Sequence, residues 1–172
     1  ELLLRLAVDG VSHGKYSINE IIQDQARSHS VYCYKGHGWF YHIHNLTEYF
    51  VANMALLDEK VREELFLPER PILTKIRDEA PAKYGLSSNV KNSLVADGCI
   101  IEGTVENSII FRGVKVGQGA VVKNSIVMQG SVIDDNAQLD YVILDKDVLI
   151  KDGRRLAGYL TYPVYVPKKS HI

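Results

Sequence analysis

The chain has 172 residues, a formal net charge of -1, 46 % hydrophobic and 24 % charged residues, an ordinary globular balance. No basic excess points to nucleic acid, and no single-sign field points to a membrane surface. No apolar run approaches the ~18–20 residues that a membrane helix needs.

The first residues, Glu1-Leu2-Leu3-Leu4-Arg5, carry neither the basic lead nor the small-residue cleavage site of a signal peptide. They open without Met inside an amphipathic pattern, so a piece of a longer protein is expected. Ser17-x-x-Glu20 is a capping box that predicts a helix with Ile18, Ile21 and Ile22 on its apolar side. Residues 31–34 and 39–44 read as strands around a turn at Lys35-Gly36-His37-Gly38. Asn45-x-x-Glu48 resembles a second capping box. Behind it Leu46, Tyr49, Phe50, Met54, Leu57, Val61 and Leu65 form the stripe of one long helix, which Pro68 ends. Residues 67–88, with Pro68, Pro71, Pro81 and Gly85, read as a connector. The expected division is 1–66, 67–88 and 89–172, the first part too thin to hold a full core.

From about Val90 the sequence repeats. Asn107-Ser108-Ile109-Ile110 recurs as Asn124-Ser125-Ile126-Val127 and more loosely as Tyr141-Val142-Ile143-Leu144, each time 17 residues on. The same shift connects Val105, Val122 and Leu139, then Val116, Ile133 and Ile150, then Gly103, Ala120 and Ala137. A weaker copy, Asn92-Ser93-Leu94-Val95, stands 15 residues before the first. One such unit cannot bury its own apolar residues. Stacked in register, about 4.8 Å apart, the units share a continuous core, and Ile126 is expected inside it. Gly117, Gly119 and Gly130 suit corners where φ is positive. Three short faces per turn make a parallel β-helix of mainly β class. An antiparallel sandwich with evenly spaced strands is the other solution, and recurrence of whole tetrapeptides at one offset argues against it.

Cys33 and Cys99 have no metal or disulfide spacing and read as small buried apolar residues. His42 and His44, two apart on an expected strand, face the same way. A metal pair needs a third ligand at a recognisable spacing, and none stands there, so packing is the plainer reading. Lys151, Arg154 and Arg155, with Lys168 and Lys169, form the densest basic cluster: an anion site, or a solvated surface of the end coil. Tyr159, Tyr162 and Tyr165 alternate with Pro163 and Pro167 in a tail that would cap the last coil or pack on a partner subunit. All six histidines (13, 29, 37, 42, 44 and 171) fall outside residues 90–170. That counts against an acyltransferase with a coil-borne general base, and against a β-helical carbonic anhydrase.

The run from Gly38-Trp39-Phe40-Tyr41-His42 through Tyr49-Phe50-Val51-Ala52-Asn53-Met54-Ala55-Leu56-Leu57 resembles the end of the nucleotidyltransferase domain of glucose-1-phosphate adenylyltransferases. Val90 to Gly103 resembles the entry to that family's C-terminal left-handed β-helix of hexapeptide repeats. The resemblance implies a left-handed winding and makes residues 1–66 the remnant of a nucleotidyltransferase domain. It also implies that the family's Mg²⁺-binding Asp is replaced here by His42, and the Gly after it by His44. Imidazole suits a hard cation poorly. The Gly-rich phosphate loop with its Arg and Lys is not among these residues, so no cofactor is expected in this chain and no turnover by it alone. The likeness is greatest to the GlgD-type subunit, the weakly active or inactive partner in glycogen synthesis. It implies a cytoplasmic homo-oligomer, or a hetero-oligomer with a catalytic adenylyltransferase subunit, in which the β-helix serves assembly and allosteric communication. The basic cluster would then bind a sugar-phosphate effector. A fully active adenylyltransferase, with its chemistry supplied from upstream, is the alternative.

Overall fold

The computed structural model describes residues 1–26, 28–36, 38–74 and 78–172. The chain falls into two compact units, Glu1–His37 and Gly38–Ile172.

The first unit is a helix pair, α1 (Leu2–Ser12) and α2 (Ile18–Gln25). A Cβ at Gly10 would stand 2.6 Å from Ile21 Cγ1, so only glycine lets the buried Ile21 side chain approach α1 this closely. Lys15 and Asp24 form an ion pair. The α2 helix starts where Ser17 predicts, but the Ser17 hydroxyl makes no capping bond. Residues 31–34 form no strand, and Cys33 is exposed, against the expectation for both. A strand needs a neighbour to bond, and alternation alone supplies none. The expected turn includes His37, which lies outside the described residues.

The second unit begins with residues 39–44, which also pair with no strand among the described residues. Their side chains keep the two-residue alternation all the same. Trp39 stacks with Tyr41 at 6.0 Å, and His42 meets His44 edge-on at 3.8 Å. The second capping box does close. The Asn45 side chain accepts from Glu48 N at 2.8 Å, and the Glu48 carboxylate accepts from His44 N at 2.7 Å. The expected single helix is two: α3 (Leu46–Met54), a 3₁₀ turn at Ala55–Leu57, and α4 (Glu59–Leu65). Asp58 makes the break. Its backbone is extended and its carboxylate accepts from Lys60 N at 2.9 Å, so it caps a new helix. Arg62 donates to the freed carbonyls of Leu56 and Leu57 at 2.7 and 2.9 Å.

Three parallel sheets of five strands follow, one per side of a prism. Sheet A holds β1 (Lys83–Tyr84), β4 (Ile100–Ile101), β7 (Lys115–Val116), β10 (Val132–Ile133) and β13 (Leu149–Ile150). Sheet B holds β2 (Asn89–Lys91), β5 (Thr104–Glu106), β8 (Val121–Lys123), β11 (Gln138–Asp140) and β14 (Arg155–Ala157). Sheet C holds β3 (Leu94–Val95), β6 (Ile109–Ile110), β9 (Ile126–Val127), β12 (Val142–Leu144) and β15 (Val164–Val166). The first coil starts at Lys83, inside the expected connector: β1 pairs with β4. The repeat is hard to see there because the second coil is short. Ile101 and Val105 are four apart where Val116 and Val122 are six apart, and Glu102-Gly103 turn that corner.

The inward column of each sheet is aliphatic: Ile101, Val116, Ile133 and Ile150 in A, Val105, Val122 and Leu139 in B, Ile110, Val127 and Leu144 in C, all buried. Ile109, Ile126 and Ile143 stack on one another as expected. They point out of the prism, however, and Ile126 and Ile143 pack under Phe50 of α3. The expected place of Ile126 in the coil interior is therefore corrected. Helix α3 and sheet C enclose a second core, which also takes in Met54, Phe111, Met128 and Tyr141.

The recurring Asn-Ser pair is the corner between sheets B and C. Asn92, Asn107 and Asn124 all take positive φ (42, 46 and 44°), a region that asparagine enters more readily than other side-chain residues. Their amides form a ladder, Asn92 to Asn107 at 2.8 Å and Asn107 to Asn124 at 3.5 Å, and Asn124 donates to Asp140 at 2.8 Å. The buried Ser108 and Ser125 run a second ladder beside it, each hydroxyl accepting from the next coil's backbone.

Candidate functional site

The five basic residues of the candidate effector site all lie exposed on the last coil and tail. The fold divides them between two corners. Lys151 and Arg154 belong to the turn after β13, where Arg154 N donates to the Lys151 carbonyl at 3.2 Å, and Arg155 opens β14 on sheet B. Lys168 and Lys169 belong to the turn after β15, stacked on the corner at Lys146 by the bond from Lys169 N to the Lys146 carbonyl at 3.0 Å. Leu149 bridges to His171 along the face between these corners. The tail thus lays a further rung on the prism, and Lys151 N donates to the Ile172 carbonyl at 2.8 Å.

Asp145 is the best-connected acid of this end. It accepts from Lys146 N at 2.7 Å and from the Tyr165 hydroxyl at 3.0 Å. The backbone bond from Lys146, then the Tyr165 bond, hold its carboxyl below the usual carboxylate range. The same contact to Asp145 raises the Tyr165 phenol. Burial raises the Cys99 thiol, whose sulfur donates to the Phe111 carbonyl at 3.1 Å, an inert core position.

One recess has no counterpart in the sequence pattern. Thr74, Glu79, Arg112, Gln129 and Asp147 line a space of about 480 Å³ along the corner at Gly113 and Gly130. Arg112, Gln129 and Asp147 come from three successive coils, and Thr74 and Glu79 from the segment before the first, so nothing clusters along the chain to announce it.

His42 and His44 are exposed and lie against each other at 3.8 Å. Among the described residues no three His, Cys, Asp or Glu side chains could hold a metal ion together. An exposed imidazole pair does not fit Mg²⁺, which takes carboxylate and water oxygens. No helix of the described residues is long and apolar enough to cross a membrane.

Residues 80–158 match the family model described as "GlmU-like, C-terminal hexapeptide". The glycogen biosynthesis protein GlgD of Bacillus subtilis is 41 % identical over 96 % of this chain. The chain is a homologue of the GlgD-type glycogen biosynthesis proteins. The GlgD protein of Geobacillus stearothermophilus is 50 % identical over 70 % of the chain. A glucose-1-phosphate adenylyltransferase of the same organism is 34 % identical over 63 % of it. The chain spans 49 % and 35 % of the length of the two GlgD relatives, and 27 % of the adenylyltransferase. Homology thus agrees with the fold: a parallel β-helix preceded by helices, with the two expected strands missing from the leading segment.

Proposed function

We propose that this chain is the C-terminal part of a regulatory, non-catalytic subunit in glycogen biosynthesis, one that assembles with a catalytic glucose-1-phosphate adenylyltransferase subunit in the cytoplasm. The observation that carries the reading is the greater identity to GlgD proteins, 50 and 41 % against 34 % for the adenylyltransferase. His42, where the resemblance implies the family's metal-binding Asp, would point the same way. In this reading the prism is a scaffold. Its interior is filled with side chains, its corners are hydrogen-bonded, and sheet C carries helix α3. Lys151 and Arg154 at one corner, with Arg155 beside them on β14, and Lys168 and Lys169 at the other corner would offer cations to a sugar-phosphate effector.

The test is an assay of the chain with ATP, glucose 1-phosphate and Mg²⁺, alone and with a catalytic adenylyltransferase subunit. No pyrophosphate release alone, with altered activity or effector response of the catalytic subunit on mixing, is the expected result. Mg²⁺-dependent pyrophosphate release by the chain alone would overturn the reading.

A further inference from the structure

The outer surface of sheet B carries a charge ladder. Lys91 pairs in register with Glu106, Glu106 with Lys123, and Lys123 with Asp140, so successive coils read plus, minus, plus, minus. All four side chains reach solvent, and Lys123 meets Glu106 at 3.1 Å. At about 4.8 Å per coil, the column runs about 14 Å up a flat wall.

Such a column is its own complement when reversed. Consider a second copy related by a two-fold axis along the strand direction, passing between the coils of Glu106 and Lys123. The rotation turns sheet B to face sheet B and inverts the coil order, leaving each column opposite itself. Glu106 then faces Lys123 of the other copy, and Lys91 faces its Asp140. Each contact occurs twice by symmetry. The neighbouring outward column obeys the same operation. Asn89, Thr104, Val121 and Gln138 stand in register one coil apart. Reversed, Asn89 meets Gln138, two amides that can bond each other, and Thr104 meets Val121, two β-branched side chains. Moving the axis by half a coil sets Glu106 against Glu106, and a full coil leaves Lys91 without a partner. Only one register pairs these four coils throughout; the fifth strand of sheet B, β14, continues the two columns with Arg155 and Ala157 and lies beyond the match.

We propose that the sheet B wall is a homotypic docking surface, on which a second copy of this chain seats antiparallel with the axis between Glu106 and Lys123. This rests on the assembly role proposed above and names its surface and symmetry. The contact is wet and charged, so it weakens with salt.

The test is sedimentation of the full 172-residue chain, with circular dichroism to confirm that each variant keeps its fold. The wild type should form a dimer that salt weakens. Lys123→Glu and Glu106→Lys should each weaken it about tenfold, because each sets like charges face to face. An equimolar mixture of the two variants should recover the dimer. The carboxylate introduced at position 123 of one chain then faces the ammonium introduced at position 106 of the other. The ladder inside each chain stays broken in that mixture, so recovery reports contact between chains alone. A mixture no tighter than either variant overturns the proposal. So does a dimer indifferent to both changes, which would leave the assembly role standing on another surface. Absence of any self-association overturns it as well, and failure to associate with a catalytic subunit besides would remove the assembly role itself.

Discussion

The Ser108 hydroxyl accepts the backbone N–H of Ser125 at 3.1 Å while donating to the Glu106 carbonyl at 2.7 Å. Ser125 repeats the arrangement one coil up, accepting from Val142 N at 3.1 Å and donating to the Lys123 carbonyl. Each buried hydroxyl thus stands in for a missing backbone partner at a corner. Ser125→Ala should cost about 1–3 kcal/mol, the usual penalty for an orphaned buried N–H. Ser93→Ala should cost less, because Ser93 is half-exposed and water can replace it. Urea unfolding of both variants checks the order.

Ile126 and Val127 are adjacent, and both are wholly buried, but in different cores. Val127→Asp should unfold the prism, since a carboxylate inside it has no partner and costs several kcal/mol. Ile126→Asp should instead release α3 and leave the coils paired. Hydrogen exchange separates the outcomes: amides of residues 46–54 lose protection in the second variant, while those of β8 and β11 keep it. Equal loss everywhere in Ile126→Asp would refute the two-core division.

Gly103 turns its corner with two residues fewer than the coils above it, and a Cβ there would run into the carbonyl oxygens of Gly117 and Ala120. Backbone atoms cannot swing aside as a side chain can. Gly103→Ala should cost about 1–3 kcal/mol. Gly113→Ala has open space around the new methyl and pays only for its φ of +67°, about 1–2 kcal/mol. A clearly lower melting temperature for Gly113→Ala than for Gly103→Ala would show that conformation outweighs the clash.

The Asp145–Tyr165 contact should make the docking of β15 pH-dependent. The carboxyl of Asp145 is held low in the fold, so its contribution is complete above the unfolded value, about 3.9, and fades as pH falls through the folded value. The Tyr165 phenol is raised, so its contribution is complete below about 10 and is lost as pH rises through the folded value. Tyr165→Phe should remove the alkaline limb and only shrink the acid one, because the Lys146 N–H still holds the Asp145 carboxyl low. Exchange of the Asp145 amide, which donates to the Val166 carbonyl at 3.0 Å, reads this out.

The coil stack was legible from the chain alone because parallel stacking in register demands that like residues recur at one interval. Val105, Val122 and Leu139, or Asn107 and Asn124, therefore announce their own neighbours. Capping signals are equally local, so the starts of α2 and α3 could be read at Ser17 and Asn45, although only Asn45 makes its capping bond. Several features could not be read this way. Ile126-Val127 is apolar at both positions, and nothing local says which of two opposite-facing neighbours enters the prism; the seat of Phe50 on sheet C decides it. Residues 31–34 and 39–44 alternate as strands do, but a strand exists only where another backbone accepts its bonds. Lys151 and Lys169 look like one cluster along the chain, and the coil carries them to different corners. The charge ladder of Lys91, Glu106, Lys123 and Asp140 is scattered along the sequence and becomes a column only when coils stack. Periodicity determines which residues lie above one another, and packing against a further element determines which way they face.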